Sequence, residues 1–393
     1  MTHAGTVVVL GLTSYTPIAG VSWQTVQNLE GLRRLGFDVY YVEDHEYWPY
    51  DPVAHAHSDD CTNTVRFIAG LMERFGFGDR WAYRDVASGG VFGLSERRLD
   101  DLLGSADLLV NLTGSTVLRE AHLQVPVRLY LETDPVLAQI ELAGGNERTR
   151  GLLAAHTHHA SYGANFGAPD CRVPASDFTF IPTRPPVVLD WWEPVGADPA
   201  APFTTVGSWE QTFKDVEFEG EHYTWSKHHE FLKLIDLPGR APRRLELALS
   251  IGDHEAEAML REHGWSVVDG AAVSATLESY RDYVRASWGE FTVAKDQNVR
   301  LRSGWFSDRS ACYLAAARPV VTQETGFSNV LPTGAGLFGF DDADGALAAF
   351  EAIEADPEGQ RRAARAVAED HFRAETVLGA LIAVVEGEPA FAS

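Results

Sequence analysis

Residues 6–42 read TVVVLGLTSYTPIAGVSWQTVQNLEGLRRLGFDVYYV, and this stretch decides the fold. Residues 6–12 are a β-branched, apolar run of strand length, closed by Thr13, Ser14 and the turn formers Pro17 and Gly20. From Ser22 to Leu35 the apolar residues Trp23, Val26, Leu29, Leu32 and Leu35 recur at helical spacing. Ser22 stands where an N-cap is expected and Gly36 where a left-handed C′ residue is expected. Phe37–Val42 is a second strand. Strand, loop, helix and strand in this order make a right-handed βαβ unit, the opening of a doubly wound parallel sheet.

The alternation continues outward. Helices are expected at 65–75 and 96–103, with buried strands at 106–112, 127–131 and 156–162. Prolines then crowd positions 182, 185, 186, 194, 199 and 202. After them the pattern restarts, with strands at 203–207, 244–251, 265–268, 291–294 and 319–322. The helices between and after these strands fall at 255–263, 280–287, 310–317, 343–355 and 361–372. The expected architecture is α/β: two doubly wound, Rossmann-like domains facing across a cleft. One covers residues 1–185 and the other 203–365, joined by a Pro-rich linker at 186–202. A terminal segment, 366–393, is placed as a helix packing back on the first domain. Ligands of such sheets bind at the carboxyl ends of the strands, so the cleft is the expected site.

Composition narrows the function. The 393 residues carry 32 Lys+Arg against 56 Asp+Glu, a formal net charge of −24. A surface so acidic repels polyanions, which predicts no nucleic-acid partner and no membrane-surface binding. No apolar run reaches the roughly 20 residues of a membrane span, and the N-terminal apolar stretch lacks preceding basic residues, so neither insertion nor a signal peptide is expected. Three scattered cysteines, Cys61, Cys171 and Cys312, fit a reducing cytoplasm. His156 and His158 share a strand face, but no carboxylate or cysteine lies at supporting spacing; no metal is expected.

A family resemblance lies in the second half. Ser303-Gly304-Trp305-Phe306-Ser307-Asp308-Arg309-Ser310, the helix ACYLAAA, then Arg318-Pro319-Val320-Val321 and Gln323-Glu324-Thr325-Gly326-Phe327 resemble the donor-site passage of GT-B glycosyltransferases. The Gly20-Val21-Ser22 turn and Gly36-Phe37-Asp38-Val39 are similar to that family's opening. The resemblance implies that residues 303–310 hold a nucleoside-diphosphate sugar, with the Gly-containing loop touching the sugar. It also implies that the first domain binds an acceptor, without a metal or other cofactor. The family's paired glutamates are missing: Gly304 and Cys312 stand at those positions. The nucleotide therefore stays open, and Asp308 is the substitute for the ribose contact.

Read as chemistry, Ser307, Asp308, Arg309 and Ser310 at a helix start offer amides, hydroxyls and a guanidinium to a diphosphate, though Ser307 as a simple N-cap is the alternative. Lysine is scarce: Lys214, Lys227, Lys233 and Lys295 are the only four. Lys295, at a strand's carboxyl end, is a candidate to neutralise a leaving diphosphate, with a solvated loop lysine as the alternative. Lys227, after the long insertion that follows strand 203–207, is a candidate to come back over the donor, with a helix-start lysine as the alternative. Gly207 and Ser208 mark a close approach for phosphate, and Glu324, Thr325 and Gly326 a contact with sugar hydroxyls. In the first domain Thr13 and Ser14 are expected to face the cleft, Glu132 and Asp134 follow a strand, and Trp48 belongs to an aromatic acceptor patch. Asp134 is the first candidate for the base that deprotonates an acceptor, and His45 the second.

The function expected is thus a metal-independent transfer of sugar to a small-molecule acceptor. The alternatives are a nucleotide-sugar epimerase or hydrolase on the same fold, or a non-catalytic nucleotide-sugar-binding partner. A dinucleotide-dependent oxidoreductase is disfavoured, because Gly11–Gly20 lacks the Gly-x-Gly-x-x-Gly spacing.

Overall fold

The computed structural model describes residues 5–51, 53–54, 56–211, 214–251 and 254–387. Two large sheets organise it. Numbering only their strands, the first holds β1 (Thr6–Leu10), β2 (Asp38–Glu43), β3 (Trp81–Arg84), β4 (Val91–Gly93), β5 (Leu108–Leu112), β6 (Val127–Glu132), β7 (His158–Ser161) and β8 (Phe180–Pro182). Their order is β8-β7-β6-β5-β1-β2-β3-β4, parallel except for the β3–β4 hairpin. The second sheet holds β9 (Phe203–Ser208), β10 (Leu245–Ser250), β11 (Ser266–Asp269), β12 (Gly289–Thr292), β13 (Val320–Gln323) and β14 (Leu337–Phe340). It is wholly parallel, in the order β11-β10-β9-β12-β13-β14. In each sheet the strand order reverses beside the first strand, at β1/β5 and at β9/β12. That reversal leaves a crevice above the carboxyl ends where helices diverge.

The central strands are apolar because helices cover both faces. Val7, Val8, Val9 and Leu10 are all buried, as are Leu245, Leu247, Ala248 and Leu249. The first helix, α1 (Ala19–Arg34), starts earlier than its sequence suggests, and Ser22 lies buried inside it rather than capping it. Ile18 occupies the cap position and supplies no side-chain bond. Instead the Ala19 N–H donates to the Ser274 carbonyl, 3.2 Å away in the other lobe. A tertiary contact satisfies a helix-end amide that a local cap would otherwise take.

Three further helices recur below: α2 (Leu277–Ala286), α3 (Asp308–Ala315) and α4 (Pro357–His371). The last, α5 (Ala374–Val385), crosses back and packs on α1. Gly31 makes room for it: a Cβ there would sit 3.0 Å from the Ala374 Cβ and 2.5 Å from Leu378 Cδ1. The Pro-rich segment does not behave as a loose tether. Val187, Val188, Leu189 and Trp192 are buried, and Val187 exchanges backbone hydrogen bonds with Phe372 and Ala374. The Trp192 Nε1–H donates to Gln27 Oε1 of α1 at 2.9 Å, and its ring lies 5.0 Å from Trp23.

The lobes are also joined backbone to backbone. Asn165 N–H donates to Ser303 O and Arg172 N–H to Leu301 O. Gly304, at φ +81, lies against this seam, and a Cβ on it would meet the Asn165 backbone nitrogen and sit 2.6 Å from Asn165 Cβ. Gly304→Ala is therefore expected to cost about 1–3 kcal/mol of stability, from a left-handed backbone and a clash with the opposite lobe. Equilibrium denaturation measures this; an unchanged midpoint would show that the seam can open without cost.

Candidate active site

Between the lobes a cleft of ≈ 690 Å³ opens at the carboxyl ends of β1 and β9. Tyr15, Gln24 and Tyr50 line it from the first lobe, and Gly207, Ser208 and the Ser307–Arg309 turn from the second. Each feature has a local cause. Gly207 and Ser208 are the last residues of β9, where the chain must leave the sheet. Ser307 is the N-cap of α3, its Oγ accepting the Arg309 N–H at 3.2 Å. That hydroxyl is thus used in capping, and the Ser310 hydroxyl is buried without a partner.

Asp308 lies in the first turn of α3 and accepts a hydrogen bond from Gln24 Nε2 of α1, 3.1 Å across the cleft. Burial pushes its carboxyl up to about 7, from an ordinary value near 3.8. Arg309 is committed to the scaffold instead. Its Nε–H donates to Glu290 Oε1 (2.5 Å), one Nη–H to the Val206 carbonyl (2.7 Å) and another to Thr292 Oγ1 (2.8 Å). The guanidinium staples β9 to β12 at the point where the strand order reverses, and the fully buried Glu290 neutralises it. The expectation of a free guanidinium for phosphate is corrected accordingly.

The lysines behave differently. Three of the chain's four meet beside the cleft. Lys295, buried at the N-terminus of the short helix Asp296–Leu301, places its ammonium 3.2 Å from the centre of the Trp225 ring, and Lys214 lies 4.5 Å from the same ring. Lys227 sits 5.5 Å from the centre of Trp305. Asp134 of the first lobe reaches over to Lys295 Nζ at 2.8 Å. Burial and neighbouring cations make these charges expensive. Burial lowers Lys295 to about 8 although Asp134 opposes the shift, and Lys227 is pulled well below the usual lysine range by burial, then Arg309 and Lys295. For Asp134 burial works the other way, but Lys295, with Lys214 and Lys227, outweighs it and holds the carboxyl below its usual value.

Several expected contacts are absent. Thr13 and Ser14 are completely buried: Thr13 Oγ1 bonds Tyr41 at 2.7 Å, and the Ser14 N–H donates to both Glu43 oxygens. The next residues, Tyr15 and Thr16, line the cleft instead. His45 is locked as well. Its Nδ1 accepts the Tyr47 N–H at 3.2 Å, so the ring proton sits on Nε2, between Ser14 Oγ (2.9 Å) and Glu43 (3.2 Å). No nitrogen remains to take a proton from an acceptor. Glu132 is buried and accepts from Gln139 and from Ser161 (2.5 Å), its carboxyl raised to about 7 by burial. Trp48 is 53% exposed and does not line the cleft. Glu324 turns its Oε1 to the Gly326 N–H at 2.5 Å, and the Thr325 hydroxyl donates to the Trp305 carbonyl. These side chains are spent on shaping the loop, and none of the three residues lines the cleft. Tyr15, Gln24, Lys214 and Trp225 carried no role in the sequence, where only the rarity of lysine pointed toward Lys214.

Among the described residues no group of three or more His, Cys, Asp and Glu side chains is arranged to hold a metal ion, and no helix is long and apolar enough to cross a membrane.

No protein-family model matches the chain, and no curated protein matches it by sequence. Its fold matches solved structures over almost its whole length. AviGT4, a glycosyltransferase involved in avilamycin A biosynthesis, superposes with a TM-score of 0.53 at 12% identity, covering 98% of each chain. HepE of Anabaena, in complex with UDP and glucose, gives 0.57 at 11% identity over 97% of this chain and 99% of that one. An alpha-glucosyltransferase bound to UDP and a 13-mer DNA gives 0.55 at 10% identity over 98% and 100%. The two-lobed architecture is therefore the GT-B fold of glycosyltransferases. The last comparison corrects the expectation that net acidity excludes nucleic acid: this fold is found bound to DNA. The physical reason is that net charge is a sum, whereas binding answers to the local field.

The Asp308 environment yields a pH test. Its folded-state value near 7 lies above the ordinary 3.8, so its stabilising contribution is full below pH ~4 and is lost as pH rises through ~7. Asp308→Asn should match the wild type at pH 4 and exceed it by on the order of 1–3 kcal/mol above pH 7. Denaturation at both pH values measures this, and equal stability at high pH would show that the carboxyl is not destabilised by its site.

Proposed function

We propose that the chain transfers a glycosyl group from a nucleoside-diphosphate sugar to a hydroxyl of a small-molecule acceptor in the cleft. The observation that carries this reading is the convergence of Lys214, Lys227 and Lys295 in a chain with a net charge of −24. A leaving nucleoside diphosphate develops negative charge as the glycosidic bond breaks. Cations held in a poorly hydrated site stabilise that charge far more than cations in water do. Trp225 faces the Lys214 and Lys295 ammonium groups and Trp305 that of Lys227, while Asp134 pairs with Lys295. With such cations the reaction runs without a metal.

In this reading residues 203–365 bind the donor. The amides around Ser307 and the strand end Gly207-Ser208 cradle the diphosphate, and the 324–326 loop meets the sugar through its backbone. Residues 1–185 bind the acceptor, with Tyr15 and Tyr50 as amphipathic walls. The likeness to AviGT4 supports an acceptor of the natural-product kind. Asp308 suits proton acceptance better than Asp134, because a carboxyl near 7 matches neutral operation while Asp134 is depressed and engaged. Asp134 then serves as the counter-ion of Lys295 until phosphate arrives.

The test pairs nucleotide-sugar donors with a panel of hydroxylated acceptors that includes duplex DNA, and follows nucleotide release. Release should require an acceptor and survive a metal chelator. Release without any acceptor would instead indicate a hydrolase. By calorimetry Lys227→Ala and Lys295→Ala should each weaken nucleoside-diphosphate binding by about 1–3 kcal/mol. Unchanged affinity in both variants would remove the lysines from the donor site and the proposal with them.

A further inference from the structure

At the opposite end of α3 from the cleft lies a second pocket, ≈ 380 Å³, between the 194–197 segment and α4. Its charged lining is Arg318, Arg361, Arg362 and Arg365 with Glu358 and Glu369. Two of the four cations are paired: Arg361 with Glu358, and Arg365 with Glu369 at 2.8 Å. Among the described residues neither Arg318 nor Arg362 has a carboxylate partner, so the pocket keeps two uncompensated positive charges on a strongly acidic protein.

Arg318 is 1% exposed. Its N–H groups donate to the Arg285 carbonyl (2.9 Å) and the Val195 carbonyl (2.9 Å), which are partial charges and leave the guanidinium cationic. Burial, with repulsion from Arg361 and Arg285, lowers it to about 10. Arg361 lies over Trp288, 4.3 Å from the ring centre, and its Nη2 is buried with no hydrogen-bond partner. A buried donor without an acceptor and a buried charge without a counter-charge are both costly. An oxyanion bound in the pocket supplies the counter-charge that Arg318 and Arg362 lack.

We propose that this pocket binds a phosphate-bearing small anion, at a site separate from the cleft. Phosphate suits it better than carboxylate. A tetrahedral group presents oxygens in several directions, as guanidinium groups converging from the end of α3 and from α4 require, whereas a carboxylate presents two oxygens in one plane. The volume admits a phosphorylated monosaccharide as well as free phosphate.

Calorimetry with inorganic pyrophosphate and with a hexose monophosphate tests the site, carried out on the Lys227→Ala, Lys295→Ala double variant so that binding in the cleft is weakened. Binding should persist in that background and fall at least about tenfold when Arg362→Glu is added. Arg361→Gln, which keeps a planar polar group over Trp288, serves as a second variant, and circular dichroism confirms that each remains folded. Tighter binding of the hexose monophosphate would mark a metabolite site, and equal binding a free-phosphate site; either supports the proposal. Loss of binding in the lysine background alone, or no response to Arg362→Glu and Arg361→Gln, would overturn it. The reading of the cleft as a donor site is unaffected by either result, since it rests on the lysine variants of the wild-type protein.

Discussion

A chain with 24 more acidic than basic charges and only four lysines places three of those lysines together, facing a carboxylate from the other lobe. Like charges repel, and each loses hydration on burial, so this arrangement opposes folding unless something compensates. Two tryptophan faces and Asp134 do so in part. The rest of the site is arranged around this held charge. The Asp134–Lys295 pair spans the lobes, so the electrostatics of the cleft and the relative position of the lobes are linked through one contact.

Arg309 shows the contrast that gives the lysines their meaning. It carries the same charge and lies at the same cleft, but Glu290 cancels it and three acceptors fix its geometry. It is part of the framework that holds β9 and β12 where the sheet order reverses. Arg309, neutralised and fully bonded, positions its neighbours; the three lysines rest on aromatic faces with Asp134 paired to one of them, an arrangement that can still admit an anion. Side-chain partners, rather than residue type, divide these roles.

Helix α1 links the parts. Gln24 reaches Asp308, Gln27 holds the Trp192 indole, and Gly31 admits α5 against the same helix. Movement of the lobes about the cleft would therefore strain the Pro-rich segment and the terminal helix together. The same helix α3 that offers Asp308 to the cleft ends just before Ala317 and Arg318 of the arginine-lined pocket, so the two candidate anion sites lie at opposite ends of one eight-residue helix.

Much of the alternation of strands and helices was legible in the sequence because burial imposes period, but the short strands Trp81–Arg84, Val91–Gly93, Phe180–Pro182 and Leu337–Phe340, at or near the sheet edges, were not. Continuous runs such as Val7–Leu10 fit strands covered by helices on both faces. The recurrence of Trp23, Val26 and Leu29 fits a helix, although α1 is buried on nearly every side, from Thr25 through Leu32, and not on its apolar face alone. The Ser307–Arg309 turn and the scarcity of lysine were legible for the same reason: both are properties of the chain itself. What lay outside reach was partnership. Whether Thr13 faces the cleft or Tyr41, whether His45 faces the cleft or Glu43, whether Arg309 is free or stapled to Glu290, and which carbonyl caps Ala19 all depend on the folded arrangement of side chains. Spacing along a chain records which faces must be buried, but the energy of a charge or a hydrogen bond depends on separation in space, and only the folded structure sets that separation.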